Sequence, residues 1–294
     1  MHHDKSRGLP DNTVTLDCET VEDAEASLAE CLKLPAHEIR RYVCDPHKTD
    51  FAVNESQVRD RWLPMLNAVA TREVEDIEDG YTCWFHATRV KDMNVFRTGI
   101  HPHSRRDLND IWTMLGTSAE GLNISELQWR DLRRKVEKDN YGQPLDVLES
   151  WMSYPSQGPC AFLFAETALS PSKTGNYDFL KCPEVVDLIL GSIEGIDREI
   201  AHGLRSRHRS ETKPALVKFR TSRIEAAYLG AALDYLVYHN AGWPLNHLDP
   251  CFSASGHAIA PEQIVCVIPI VESNFAPDTG YNYSFCPMSD RVSW

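Results

Sequence analysis

His86 is the residue best placed by its setting to do chemistry. It stands in Trp84-Phe85-His86-Ala87-Thr88, an apolar and strand-forming stretch. An imidazole there can hold a hydroxyl or move a proton near neutral pH, although a lone strand histidine more commonly serves as a hydrogen-bonded structural group. A second feature is charge. Residues 198–223 carry eight Lys and Arg (Arg198, Arg205, Arg207, Arg209, Lys213, Lys218, Arg220, Arg223) against Glu199 and Glu211, a net of +6 inside a chain of net charge −13. The functional reading is contact with nucleic acid, and the plain one is a solvated helix end and loop. A further basic cluster runs through Arg130, Arg133, Arg134, Lys135 and Lys138. Metal binding has little support: His101-Pro102-His103 and the scattered cysteines show no recurring ligand spacing. Phosphate-binding glycine loops and the G-x-S-x-G serine elbow are absent.

The elements that must position these groups are legible from periodicity. Thr20 is an N-cap for a helix with Val21, Ala24, Leu28, Cys31 and Leu32 on one face, closed by Pro35. A second helix starts near Asn54, with Gln57 at the capping-box position and Pro64 as a kink. The acidic run Glu73–Gly80 reads as a solvated connector. Tyr81–Thr88 is a buried strand with Thr82, Trp84, His86 and Thr88 on one face. Val90, Met93 and Phe96 then recur every third residue, and Gly99 suits a helix end. Residues 104–150 read as polar helix. Strands are expected at Ala161–Ala165, Ala215–Arg220 and Ile264–Ile270. Helices are expected after Pro183, placed at N1, and over Ala226–Tyr238. Helices first and mixed elements afterwards make the fold class α+β. We read residues 1–79 as a helical accessory region and 80–294 as the functional domain.

Composition narrows the setting. The chain has 294 residues, enough to bury a core without covalent staples. Residues 1–80 hold 18 Asp and Glu against 9 Lys and Arg, so most of the negative charge lies there. An acidic total opposes general affinity for phosphate backbones but leaves room for a local basic groove. Nine cysteines at wide spacing, with no C-x-x-C, point to a reducing compartment. Cys83, Cys160 and Cys266 lie in apolar runs, where a thiol acts as a small hydrophobe. The start Met1-His2-His3-Asp4-Lys5 has no apolar core of a secretory signal, and no apolar run spans a bilayer. A cytoplasmic protein without membrane contact is the expectation.

Two segments taken in order carry a resemblance. His86-Ala87-Thr88 is followed by a short helix and Gly99-Ile100. Gly158-Pro159-Cys160-Ala161-Phe162-Leu163-Phe164-Ala165-Glu166 is followed by Thr174-Gly175-Asn176-Tyr177. A strand with H-[GA]-[TS], then G-[IL], then F-A-[DE], then S/T-x-x-Y resembles the ADP-ribosyltransferase superfamily, in the style of its diphtheria-toxin and poly(ADP-ribose) polymerase branch. The match covers residues 81–102 and 158–180, with a looser tail over 255–271. The resemblance implies a split, mixed β-sheet core and an enzyme that moves ADP-ribose from NAD to a nucleic-acid or protein acceptor, releasing nicotinamide. It implies that His86 bonds a ribose hydroxyl, that Ala87 leaves room for the nicotinamide amide, and that Thr88 braces the turn. Thr174 and Tyr177 would clamp the nicotinamide. Arg97, Arg105 and Arg106 would face the pyrophosphate.

Two positions depart from the family pattern. Leu163 stands where the family has a pocket tyrosine. Phe252-Ser253-Ala254-Ser255-Gly256-His257, where the family's glutamate is expected, holds no carboxylate. Breaking the bond from ribose to nicotinamide builds positive charge on the sugar, which a carboxylate stabilises. Glu262, Asp249 and Glu166 are the acids that can fill the role, and His257 can act as a base on the acceptor. By analogy with the family, such an enzyme suits a bacterial toxin or phage-defence effector, with the N-terminal region as an inhibitory, antitoxin-like element or its docking site. Two alternatives stay open: a catalytically inactive module on the same fold that binds ADP-ribose or a protein, and an RNA 2′-phosphotransferase.

Overall fold

The structure, a computed structural model, describes residues 13–45, 58–102, 105–138, 158–170, 176–243, 245, 250–276, 280–285 and 290–293. The fold is mixed α and β, and the chain divides into two compact units. The first comprises Met1–Trp84, Phe162–Thr167 and Arg220–Pro250, and the second Phe85–Ala161, Ala168–Phe219 and Cys251–Trp294.

The first unit is a helical layer beside strand ends. Helix α1 (Val21–Leu32) begins where Thr20 accepts the Asp23 N–H, as its sequence predicts. It stops at Lys33, which takes a left-handed φ of 55°, so Pro35 is not its terminator. Pro35 instead caps a further helix, α2 (Ala36–Val43), whose apolar side is only Ile39, Tyr42 and Val43, too short a stripe to stand out in the sequence. Helix α3 (Val58–Ala70) contains Pro64. The short strand β1 (Thr15–Leu16) pairs in parallel with β2 (Ile77–Val90) at Tyr81 and Thr82. The acidic connector therefore ends inside a strand. Asp76 accepts the Ala226 N–H at 2.7 Å and pairs with Arg223, and both hold its carboxyl below the usual range. That backbone N–H belongs to helix α9 (Ala226–Ala241), an anion-favouring terminus. Gly230 lets α9 approach α3 closely: a Cβ there would lie 2.7 Å from Trp62 Cβ and 2.9 Å from its carbonyl oxygen. One turn on, buried Asp234 accepts the Trp62 indole N–H at 3.1 Å.

The strands form an open sheet in the order β5-β3-β2-β4-β6-β7, with β1 paired to β2 off this path. Here β3 is Cys160–Phe162, β4 Lys213–Ile224, β5 Cys251–Ser253, β6 Ile264–Ala276 and β7 Gly280–Phe285. The β4–β6 and β6–β7 pairs are antiparallel. Helices α4 (Arg105–Glu120), α5 (Glu126–Lys138), α7 (Glu184–Glu194) and α8 (Arg198–Glu211) share a core of Trp112, Leu115, Trp129, Leu132, Ile189 and Leu204, among others. Pro183 is the N-cap of α7, one residue earlier than expected. The period-three pattern after Val90 is a 3-10 helix, Met93–Thr98, the geometry that repeats every third residue. Gly99 ends it at φ 95°, and a Cβ there would lie 2.2 Å from the Ile259 oxygen. The strand expected at Ala161–Ala165 is shorter: β3 ends at Phe162, and Ala165 opens the short helix α6 (Ala165–Leu169), which belongs partly to each unit. No helix among the described residues is long and apolar enough to cross a membrane.

Candidate functional site

His86 lies on β2 in the second unit, half-buried, and its neighbour in the sheet is β3. Its Nδ1 stands 2.7 Å from the Cys160 carbonyl oxygen. A carbonyl only accepts, so Nδ1 carries the hydrogen, and in the neutral ring Nε2 is then an acceptor. The two motif segments therefore meet at this bond. Ala87 is buried on the opposite face, Thr88 is half-buried, and Arg97 is exposed on the 3-10 helix.

Tyr177 follows in the same unit, half-buried, its ring 4.9 Å from Phe179 in an edge-on contact. Burial pushes its phenol well above the usual range, and the charge of Asp187, to which it is hydrogen-bonded, adds to the effect. Glu184 and Asp187 occupy the first turn of α7, three residues apart on one face. Glu184 is half-buried. Its carboxyl is raised by desolvation first and by Asp187 second. Its charge adds to the raised Cys160 thiol after desolvation, and least of all causes to the raised Tyr177 phenol, after burial, Asp187 and Cys182. Asp187 also faces Arg205 at 3.5 Å, whereas among the described residues no hydrogen bond or ion pair engages the Glu184 carboxylate.

His257 is exposed on a turn where Ser255 and Gly256 take φ values of 49° and 82°. That turn is anchored at two points. The Ala254 N–H bonds the Pro159 oxygen at 3.2 Å, and Ile259 and Ile100 exchange two bonds of 2.9 Å. Both the strand lead-in of β3 and the Gly99-Ile100 segment thus border the loop that carries His257. Glu262 is exposed on the 3-10 turn Pro261–Gln263, and no contact among the described residues joins it to Glu184 or Tyr177. Glu166 sits in the first unit and accepts the Tyr235 hydroxyl at 3.0 Å. Thr174 and Asp249 lie outside the described residues, as do the side chains of Arg105 and Arg106.

Much of the basic segment is engaged within the fold. Arg205 pairs with Glu194 and Asp187, Arg207 with Glu211, Arg209 with Glu272, and Arg223 with Asp76 and Glu78. Lys218 is buried with its ammonium 5.7 Å from the Phe85 ring centre, and Arg220 lies over Tyr81. The α5 cluster likewise pairs along its own helix, Arg130 with Glu126, Arg133 with Glu137, and Arg134 and Lys135 with Asp131. Cys160 is exposed, unlike buried Cys83 and Cys266, so it does not serve as a core hydrophobe. No group of three or more His, Cys, Asp or Glu among the described residues could hold a metal.

Sequence reasoning did not find Glu184 and Asp187. Acids in a first helical turn are ordinary there, because they complement the helix dipole. Only the fold shows that this turn bonds Tyr177 through Asp187. Arg89 carries a signal in the sequence: a lone arginine inside an apolar strand must find partners, and its side chain is 1% exposed. Compared with known proteins, the chain matches no family model, no curated protein and no solved structure.

Proposed function

We propose that the chain is an NAD-dependent ADP-ribosyltransferase whose site is built from His86, Tyr177 and Glu184. One observation carries this reading: the Cys160 carbonyl holds the His86 ring, and Tyr177 is hydrogen-bonded to Asp187 in the same first turn of α7 as Glu184, a half-buried carboxylate unpaired among the described residues. Glu184 supplies the acid that the 252–257 segment lacks. In this reading the imidazole, fixed through Nδ1, accepts a ribose hydroxyl at Nε2. The Tyr177 ring stacks on the nicotinamide, which is a flat cation until it leaves. As the bond from ribose C1′ to the nicotinamide nitrogen breaks, its electron pair neutralises the ring, and positive charge spreads over C1′ and the ring oxygen. Glu184 stabilises that charge from a partly desolvated position. The acceptor nucleophile bonds to C1′ and gives its proton to the Glu184 carboxylate. His257, on the bordering turn, is the group placed to meet the acceptor.

The acceptor is a nucleic acid or a protein. The internal pairing of the basic segment favours the protein. A 2′-phosphotransferase would need basic side chains directed at a phosphate, and Arg89, the basic residue nearest His86 in the strand, uses its donors inside the fold. The test is nicotinamide release from NAD in the presence of cell extract, with mass spectrometry of protein and nucleic acid for an added ADP-ribose. Wild type should release nicotinamide, and Glu184→Gln should lower the rate roughly a hundredfold while leaving NAD binding in place. His86→Ala and Tyr177→Ala should lose the adduct. NAD binding with no release and no adduct would identify a binding module, and no binding at all would remove the NAD reading.

A further inference from the structure

We infer that Arg89 is a positioning residue that sets the Tyr177 segment against the His86 strand. The inference rests on the site proposed above for its meaning, though not for its geometry. Arg89 lies on β2 three residues beyond His86. All five guanidinium hydrogens are used. Nε donates to Thr212 Oγ1 at 3.1 Å. One terminal nitrogen donates to the Leu180 oxygen at 2.7 Å and to the Glu272 carboxylate. The other donates to the oxygens of Arg209, at 3.0 Å, and Thr212, at 2.9 Å.

These acceptors come from separate places in the chain. Arg209 and Thr212 end α8, Glu272 belongs to β6, and Leu180 lies three residues beyond Tyr177. Where only volume is needed, an apolar side chain fills a core at no desolvation cost, so a buried guanidinium with a single carboxylate partner calls for another reason. Its fork of fixed donors supplies one, since it can hold three backbone oxygens in one plane, which a lysine ammonium with three donors cannot.

The consequence for the site is metric. His86 and Tyr177 each lie three residues from one end of the same Arg89–Leu180 bond. Three residues of extended chain span at most about 11 Å. Both backbones are therefore tied to a common point. Beyond it, the segment has its own stiffness: Lys181 N–H reaches both the backbone and the side-chain oxygen of Asp178, and Leu180 is fully buried. A short rigid turn held to the sheet at one bond transmits any loss of that bond to Tyr177.

The experiment compares wild type with Arg89→Lys, which keeps the charge facing Glu272 but loses the fork. Hydrogen exchange is measured over 176–182, β4 and β6, and NAD affinity by calorimetry with and without Tyr177→Leu. Exchange over 176–182 should rise about tenfold with β4 and β6 unchanged. The NAD Kd should rise about tenfold in the wild-type background and not at all on top of Tyr177→Leu, because a residue acting through Tyr177 has nothing left to act on. Exchange that is unchanged, or raised equally throughout, overturns the inference, as does the same loss of affinity in both backgrounds. If wild type binds no NAD, the NAD reading falls and the exchange pattern alone decides Arg89. Should Arg89→Lys not fold, Glu272→Gln carries the same measurements, with an expected change of about threefold in the same directions.

Discussion

Each unit of this protein holds a tyrosine bonded to a carboxylate, and the two pairs have opposite characters. In the first unit Tyr235 is 1% exposed, stacks on Phe164 at 4.5 Å with 18° between the rings, and gives its hydroxyl to Glu166. Burial, then Glu166, pushes its phenol far up. Both ring faces and the polar tip are consumed by the fold. In the second unit Tyr177 is half-buried, meets Phe179 only edge-on, and bonds Asp187, while a further acid, Glu184, shares the helical turn of Asp187. Each pair joins a phenol to an acid, and both Glu166 and Glu184 lie in the first turn of a helix. What separates a packing device from a candidate site is whether the fold returns a partner to every polar group. The first pair is closed, and the second leaves a carboxylate over.

The contrast can be broken by four measurements. The largest stability effect should come from the rings. Tyr235→Ala, which empties a closed core site, should cost about 3–5 kcal/mol in urea denaturation, and Tyr177→Ala clearly less. A reversed order would mean that Tyr177 is the core residue. Next is acid. His208, buried in the second unit, is held down to about 4 by burial, then by Arg89 and Lys91, against an opposing pull from Glu211. Its folded value lies below its ordinary 6.5, so the unfolded chain binds the proton first. Stability is therefore full above pH 6.5 and falls by about 3 kcal/mol as the pH drops to about 4. His208→Gln should flatten that window.

The two smallest effects oppose each other. Glu166→Gln should cost about 1 kcal/mol at neutral pH, because it weakens a made hydrogen bond to a charged acceptor. Glu184→Gln should do the reverse. The folded-state value of Glu184 is raised, so its contribution is intact at pH 4 and is lost as the pH rises through the folded value. Melting of Glu184→Gln should accordingly be higher than wild type at pH 7.5 and equal to it at pH 4. Equal behaviour of the two glutamines would erase the distinction between the pairs.

Local signals placed the elements well and their neighbours poorly. Thr20 caps α1 because its hydroxyl reaches an N–H three residues away, and residues that close tell their story within one turn. The strand carrying His86, the strand at Ile264 and the helix from Ala226 were readable for the same reason: a run of apolar or β-branched residues reports its own burial. The period of three after Val90 was legible too, though only the structure shows it as a 3-10 helix. Basic residues misled. A tally of charge over 198–223 could not show that Arg205, Arg209 and Arg223 each meet a carboxylate from elsewhere in the chain.

What the chain determined by itself is therefore short-ranged: a mixed α and β fold, the ends of several helices, the strand on which His86 sits, and the order of the motif segments. Periodicity and capping act over a few residues, so they survive in one dimension. The partners of the charged and polar groups were decided only in three dimensions. Asp187 meets Tyr177, and Arg89 meets Leu180, Thr212 and Glu272, across separations of 10 to 183 residues. Electrostatic energy depends on distance through space and on the water excluded along it, and neither quantity is written in the spacing of letters.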